Sequence, residues 1–210
     1  MKRIKYEDLL LPKNIKLLKD AVFQDQLIIY PTDTLYGLGG NFYSLKAIEK
    51  IDALKKRTDM PYSVIVTGLE MLRGLVDHIP EVFQSLYPQF LPGKFTFLFH
   101  AAKSIDPALV KGRDKIGIRI PNTPTILKLV EILAVPLITT SVNLSGKPPL
   151  NDPEIIFREF STLPPGFSPA VLIDAGVLPE SRGSTILDIT RSPVTCPRKG
   201  DDFDKISNLL

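Results

Sequence analysis

The stretch KIGIRIPNTPTILKLVEILAVPLITTSVN, residues 115–143, carries the clearest fold signal in this chain. Its first six residues alternate between the two faces of an extended chain and predict a strand, and PLITT at 136–140 predicts a second one. Between them, residues 123–134 space their apolar side chains as an amphipathic helix does. A strand, a helix and another strand in direct succession indicate an α/β fold.

The rest of the chain continues this alternation of helices and strands, without an internal repeat or a low-complexity linker. Helices are predicted at 12–26, 44–56, 68–77, 80–89, from 152 onward and at about 201–209. Strands are predicted at 27–30, 63–67 and 95–100, and three more follow one another in AVLIDAG, STILDIT and VTCPRKG near the end. Because strict alternation fails there, we predict one α/β domain over residues 1–210 with a twisted sheet of mixed parallel and antiparallel strands, flanked by helices.

Composition excludes several classes of protein. The 210 residues are 44% hydrophobic and 23% charged, an ordinary globular balance. No apolar run approaches the roughly 20 residues of a membrane span, and the first ten residues lack the apolar core of a secretory signal, so we expect a cytoplasmic protein. A lone Cys196 excludes an intrachain disulfide, and His78 and His100 are too far apart for a zinc pair on one helix. The net charge of +3 is too small to indicate nucleic-acid binding by itself.

Two short polar motifs are candidates for a binding site. Lys55-Lys56-Arg57 ends a predicted helix, and Ser141-Val142-Asn143 lies in a loop after a predicted strand. If the fold brings them together, two cations, a hydroxyl and an amide would suit a polyphosphate or carboxylate ligand. The alternative is that the cations are solvated and complement the helix macrodipole, while the polar pair belongs to an ordinary turn.

Other polar residues have plain interpretations as well. PTDTLYGLGG at 31–40 follows an apolar strand, and its glycines permit close approach of the backbone to a ligand, yet a plain turn fits equally. It matches neither a Rossmann fingerprint nor a P-loop. Arg119 projects from one face of a predicted strand, where it needs an anionic partner or an opening to solvent. Ser184 and Arg198 taken alone indicate no more than strand and surface chemistry.

Seven segments taken together resemble one family. In order they are PTDTLYGLG, ALKKR, LPGKFTF, IGIRIPNTP, TTSVNLSGKP, STILDIT and PRKG. This series resembles the YrdC-like family of threonylcarbamoyl-adenylate synthases, in its short, single-domain form. The resemblance covers a core from about residue 10 to residue 205.

The resemblance implies a deep, basic concave cavity in the sheet and a defined reaction. L-threonine, bicarbonate or carbon dioxide, and ATP with Mg²⁺ would give threonylcarbamoyl-adenylate and pyrophosphate. The product would serve the N6-threonylcarbamoyladenosine modification of tRNA at position 37, through a downstream tRNA threonylcarbamoyl-transferase complex. No membrane partner and no protein metal ligand are implied.

The resemblance also assigns residues. Its catalytic signature falls on Lys55, Arg57, Ser141 and Asn143. The same four residues, with Arg198, would bind ATP. The threonine contacts fall on Thr34, Arg119, Thr139 and Ser184.

This chain departs from the family pattern at three places. Thr58 stands where a proline is usual, and the VIVT strand lacks a histidine that helps some members bind threonine. Pro149 stands where some members have a serine that contacts the nucleotide.

The chemistry suits a cavity lined with cations, because the reacting threonine amine must be neutral and nearby positive charge lowers its pKa. Transfer to the α-phosphate needs positioning and charge stabilisation rather than a protein nucleophile. Two other functions stay open from the sequence. One is a paralogue of the same fold that acts on a related adenylate, and the other is an RNA-binding module that uses the basic cavity.

Overall fold

Ten strands form one sheet in the computed structural model, which describes residues 1–56 and 62–209. The strands are β1 Lys2–Lys5, β2 Ile28–Pro31, β3 Tyr36–Gly39, β4 Ser63–Ile65, β5 Phe95–His100, β6 Lys115–Arg119, β7 Leu137–Ser141, β8 Val171–Asp174, β9 Thr185–Asp188 and β10 Thr195–Arg198. Their order across the sheet is β1-β8-β2-β3-β7-β4-β6-β5-β9-β10.

The sheet is mixed, as the sequence predicts. Four neighbouring pairs are parallel: β1 with β8, β2 with β8, β4 with β6, and β5 with β9. Five are antiparallel: β2 with β3, β3 with β7, β4 with β7, β5 with β6, and β9 with β10. Strict strand–helix alternation fails near the end of the chain because β8, β9 and β10 follow one another without a helix between them, and β9 and β10 form an antiparallel pair.

Helices flank this sheet. Within the described residues they are α1 Pro12–Phe23, α2 Leu45–Lys55, α3 Leu69–Arg73, α4 Glu81–Phe90, α5 Pro124–Leu133 and α6 Pro153–Ser161. The predicted C-terminal helix is instead two short 3₁₀ turns, Phe203–Lys205 and Ser207–Leu209. None of the described helices is both long enough and apolar enough to span a membrane.

Helix α5 shows how the sequence sets these elements. Pro124 occupies the first turn, where its missing N–H costs nothing, and Ala134 ends the helix in the left-handed region at φ 54°. The apolar stripe buries four side chains, Ile126, Leu129, Val130 and Leu133. Burying each contributes about 1.5–3 kcal/mol, so packing against the sheet rather than helix propensity holds α5 in place.

Strand β3 is the main difference between the predicted and observed elements. Its sequence, Tyr36–Gly39, lies in a stretch predicted to be rich in turns, yet it is a fully buried strand between β2 and β7. The glycines serve close packing instead. A Cβ on Gly39 would lie 1.7 Å from the carbonyl oxygen of Ile138. The strand therefore fits against β7 only with glycine there.

Strand β1 is absent from the predicted elements because its sequence, KRIK, is charged and three of its four residues are exposed. It pairs in parallel with β8 at one edge of the sheet. Some boundaries also differ. The first helix ends at Phe23 instead of residue 26, shortly before Asp25, whose φ is 57°. Ser141 is the last residue of β7 rather than part of the following loop.

One face of the sheet is only partly covered by helices, and this exposes the site. On β7, Leu137 packs with Ile126 and Leu129 of α5. Thr139 and Ser141 follow on the same face, because side chains alternate along a strand. These two residues line an open cavity instead of contacting the helix.

Candidate active site

A cavity of about 880 Å³ lies over this open part of the sheet. Its floor includes alternate residues of the central strands: Lys115, Gly117 and Arg119 of β6 face the cavity, whereas Ile116 and Ile118 pack in the core. Six of the residues predicted for the site line it: Thr34, Arg119, Thr139, Ser141, Ser184 and Arg198.

Arg119 is the most buried cation of the cavity wall, with 7% of its surface exposed. Its Nη2 donates to Oδ1 of Asp33 at 2.5 Å and to the Thr34 hydroxyl at 2.7 Å. Asp33 is thus the anionic partner that an arginine in this position requires. The sequence predicts that Arg119 needs an anionic partner or an opening to solvent, and it assigns no role to Asp33.

The turn between β2 and β3 holds these residues in place. The Thr32 hydroxyl donates to the Leu35 carbonyl at 2.7 Å and closes the turn that carries Asp33 and Thr34. Next in the chain, Tyr36 also lines the cavity, and burial raises its pKa to about 12. Tyr36 therefore stays a neutral hydrogen-bonding group at physiological pH.

Ser184 and Arg198 contact each other in the cavity wall. Arg198 donates from Nη2 to the Ser184 hydroxyl at 2.9 Å and from Nε to the Ser184 carbonyl at 2.9 Å. The Ser184 hydroxyl also lies 2.7 Å from that of Thr96, which is buried in β5. A residue predicted to contact threonine and one predicted to contact ATP are therefore in direct contact.

The two motifs singled out in the sequence do converge. Lys55, the last residue of α2, donates from Nζ to the Ser141 carbonyl and to Oδ1 of Asn143, both at 2.5 Å. The Ser141 hydroxyl donates to the same Asn143 oxygen at 2.7 Å. Of these three residues Ser141 lines the cavity, and Lys55 and Asn143 lie directly beside it. Arg57, the fourth residue of the predicted signature, lies outside the described residues.

A further group of cations lines the cavity and was not predicted: Arg113, Lys115, Arg182 and Arg191. With Arg119 and Arg198 they give six cations against one lining carboxylate, Asp114, among the described residues. The alternation of KIGIRI could have identified Lys115, because residues four apart in a strand share a face. The other three are on loops, where the sequence carries no such pattern.

Lys115 is held by a carboxylate of its own. Its Nζ donates to Oδ2 of Asp188 at 2.7 Å, and Asp188 also accepts from the Thr190 hydroxyl at 2.6 Å. Burial alone would raise the pKa of Asp188, but the hydrogen bonds from Lys115 and Thr190 outweigh it and lower that pKa. The pair fixes a second cation on the cavity floor.

Behind the end of α2 lies a cluster of Asp52, Tyr62 and Lys111. The Tyr62 hydroxyl donates to Oδ1 of Asp52 at 2.7 Å, and Lys111 pairs with the same oxygen. The Lys111 nitrogen lies 4.8 Å from the centroid of the Tyr62 ring. This cluster ties α2 to the cavity wall, because Tyr62 is a lining residue.

Among residues 1–56 and 62–209, no group of three or more His, Cys, Asp or Glu side chains is placed to hold a metal ion. The donor set of the cavity consists instead of hydroxyls and cations, which suit anionic ligands. A metal ion would fit this cavity as a companion of a polyphosphate rather than as a resident of the protein.

Comparison with known sequences gives one family and several relatives. The Sua5/YciO/YrdC family, whose description is "Telomere recombination", matches residues 20–200. The threonylcarbamoyl-AMP synthase of Haemophilus influenzae is 31% identical over 154 residues, which cover 71% of this chain and 83% of the relative. The threonylcarbamoyl-AMP synthase of Pyrococcus abyssi is 28% identical over 187 residues, which cover 89% of this chain but only 54% of the relative.

Solved structures agree with this grouping. The crystal structure of P. abyssi Sua5 complexed with L-threonine superposes with a TM-score of 0.87 at 26% identity, over 100% of this chain and 60% of that one. E. coli YciO superposes with a TM-score of 0.82 at 24% identity over 95% of both chains, a likeness of fold. With the family match over most of its length, this chain belongs to the Sua5/YciO/YrdC family.

Proposed function

We propose that this protein is a threonylcarbamoyl-AMP synthase, which makes threonylcarbamoyl-adenylate and pyrophosphate from L-threonine, bicarbonate or carbon dioxide, and ATP. The observation that carries the proposal is the cavity of about 880 Å³ on which Arg119, Ser141 and Ser184 converge. The activity for which the curated relatives are named, and the complex of P. abyssi Sua5 with L-threonine, support the same function.

Threonine would bind at the Arg119 corner. Its carboxylate would pair with the guanidinium, as arginine favours for carboxylates. The small hydroxyls of Thr34, Thr139 and Ser184 surround this part of the cavity and would contact the amino acid. All three side chains belong to buried residues, so the subsite is shaped before the ligand arrives.

ATP would occupy the more open part of the cavity. Arg198 and Ser141 line it, and Lys55 and Asn143 lie beside Ser141, where they would position the phosphates together with Arg57. Mg²⁺ would enter as Mg-ATP, because it can be held by phosphate oxygens and water with few protein ligands. These assignments follow the family signature in the sequence.

The reaction would proceed in two steps. The neutral amine of threonine attacks bicarbonate carbon, and loss of water leaves an N-carboxylate. A carboxylate oxygen then attacks the α-phosphorus of ATP, and the bond to the β-phosphate breaks to release pyrophosphate. The cations of the cavity would stabilise the charge on the transferring and leaving phosphates, so the protein needs no covalent nucleophile.

The product would serve a tRNA threonylcarbamoyl-transferase complex that modifies adenosine 37 of tRNA in the cytoplasm. A mixed anhydride of a carbamate and a phosphate is reactive toward water. We therefore expect the acceptor system to be close at hand. Direct contact between this chain and tRNA is not required for the transfer.

The test measures pyrophosphate release by the purified protein with L-threonine, bicarbonate and Mg-ATP. We expect release that stops when threonine or bicarbonate is omitted, and a fall of about 100-fold or more in Lys55→Ala, the size typical of losing one stabilising donor in an active site. Lys128→Ala, on the exposed face of α5 away from the cavity, is the matched control and should behave as wild type.

Two other results would contradict the proposal. Release that needs ATP but not threonine would indicate a paralogue that acts on a different acceptor. RNA binding with a steep salt dependence and no pyrophosphate release would indicate an RNA-binding module.

A further inference from the structure

Arg119 and Asp33 form the most enclosed ion pair in the wall of the cavity. Each side chain is 8% exposed, and Arg119 Nη2 lies 2.5 Å from Asp33 Oδ1. The other carboxylate oxygen, Oδ2, accepts the backbone N–H of Asn122 at 2.9 Å. Both oxygens of Asp33 are therefore engaged, one by the cation and one by the backbone that leads into α5.

The fold fixes Asp33 rather than letting it follow a ligand. The turn that carries it is closed by hydrogen bonds from the Thr32 backbone and hydroxyl to the Leu35 carbonyl, at 3.1 and 2.7 Å. Thr32 also contacts Arg119 Nη2 at 3.3 Å. Within the described residues, the side-chain hydrogen bonds of Arg119 leave from Nη2, and its Nε is buried without a partner. Nη1 takes no part in these bonds, so we assign it to the ligand.

The charge of this corner follows from the pair. A buried guanidinium without a counter-ion attracts any small anion strongly, because the local dielectric is low. When Arg119 is paired with Asp33, it can still donate directional hydrogen bonds, but the carboxylate cancels most of its electrostatic attraction for small anions. A net-neutral corner favours a zwitterion with a carboxylate of the right shape over a free inorganic anion.

We propose that Asp33 is a specificity-determining and positioning residue, which neutralises and orients Arg119 so that this corner accepts an amino acid and rejects small inorganic anions. The inference rests on the proposed function and deepens it. A synthase that uses bicarbonate and a triphosphate in the same cavity would otherwise have its amino-acid subsite blocked by those anions.

The experiment titrates the full chain with L-threonine and, separately, with sulfate by calorimetry without ATP. For Asp33→Asn we expect sulfate to bind about tenfold more tightly, because Arg119 loses its partner charge. We expect L-threonine to bind about tenfold more weakly, because a corner with net positive charge repels the threonine ammonium group. Asp33→Glu keeps the charge but moves it, so it should still exclude sulfate while losing threonine affinity. Asp174→Asn is the control. It removes a carboxylate that pairs with Arg3, and neither Asp174 nor Arg3 lines the cavity, so neither affinity should change.

A second readout separates positioning from a general role in folding. Asp33→Ala leaves a gap the size of a carboxylate, and formate added at millimolar concentration should restore part of its threonine affinity. Thermal unfolding of each variant is measured alongside.

Two outcomes would overturn the inference. One is an Asp33→Asn protein with wild-type affinity for both ligands, and the other is a loss of threonine affinity that formate does not relieve and that brings no gain for sulfate. Because these titrations need no turnover, they are independent of the activity assay. If the variants show the expected affinities but the wild-type protein releases no pyrophosphate, the proposed function alone is contradicted.

Discussion

Strand β6 carries two cations on the same face, four residues apart, and they are held in different ways. Arg119 pairs with Asp33 at 2.5 Å, and both side chains are 8% exposed. Lys115 pairs with Asp188 at 2.7 Å, but its own side chain is 21% exposed. One end of the cavity floor is thus a closed, preformed corner, and the other is open to solvent. The difference suits a small ligand at the first end and a larger, charged one at the second.

The largest expected effect is on the closed corner. Arg119→Met should lower the free energy of unfolding by about 3–5 kcal/mol, because Asp33 would remain buried without its cation. Activity with threonine should also be lost. Chemical denaturation compared with wild type measures the first effect. If Arg119→Met is as stable as wild type, the buried Arg119–Asp33 pair does not stabilise the fold more than the more exposed Lys115–Asp188 pair.

A smaller loss is expected at the open corner. Lys115→Met should cost about 1–2 kcal/mol, because Asp188 keeps the hydrogen bonds from the hydroxyl and backbone N–H of Thr190. The same denaturation experiment measures it. Equal losses in the free energy of unfolding for Lys115→Met and Arg119→Met would show that the two ion pairs stabilise the fold equally, despite their different exposure.

The smallest effect is on the pH dependence of stability. The pKa of Asp188 is lowered in the folded protein. Its contribution is therefore fully present above the unfolded pKa of about 3.9 and is lost as the pH falls through the folded pKa. Asp188→Asn should be less stable than wild type at pH 6, and the gap should shrink below pH of about 4. The exposed Asp204→Asn serves as the control; a gap for Asp188→Asn that stays constant down to pH 3 would contradict the prediction.

The comparison also shows what the sequence can and cannot predict. Alternation in KIGIRI places Lys115 and Arg119 on one face, and it predicts that Arg119 needs an anionic partner or solvent. It does not say which carboxylate supplies the charge, because Asp33 is 86 residues away in the chain and is brought close only by the sheet order. The sequence also presents Lys55, Ser141 and Asn143 as residues that could meet, and the structure shows their contact.

Elements whose sequence serves two purposes were harder to predict. The glycines of Tyr36–Gly39 are typical of a turn, and here they admit a neighbouring strand at close range. Strand β1 lacks an apolar pattern because it lies at an edge, where it buries little. The functional roles of the predicted site residues, and the use of Mg²⁺ with ATP, stay predictions that the activity assay addresses.

The two edges of the sheet have a consequence for the protein's behaviour at high concentration. A wide sheet ends in two strands with unpaired backbone groups, and such strands recruit other chains into aggregates. Here one edge, β1, carries Lys2, Arg3 and Lys5, and the other, β10, contains Pro197, which has no N–H to offer. Charged side chains at the first edge and the missing donor at the second both disfavour pairing with a strand of another molecule.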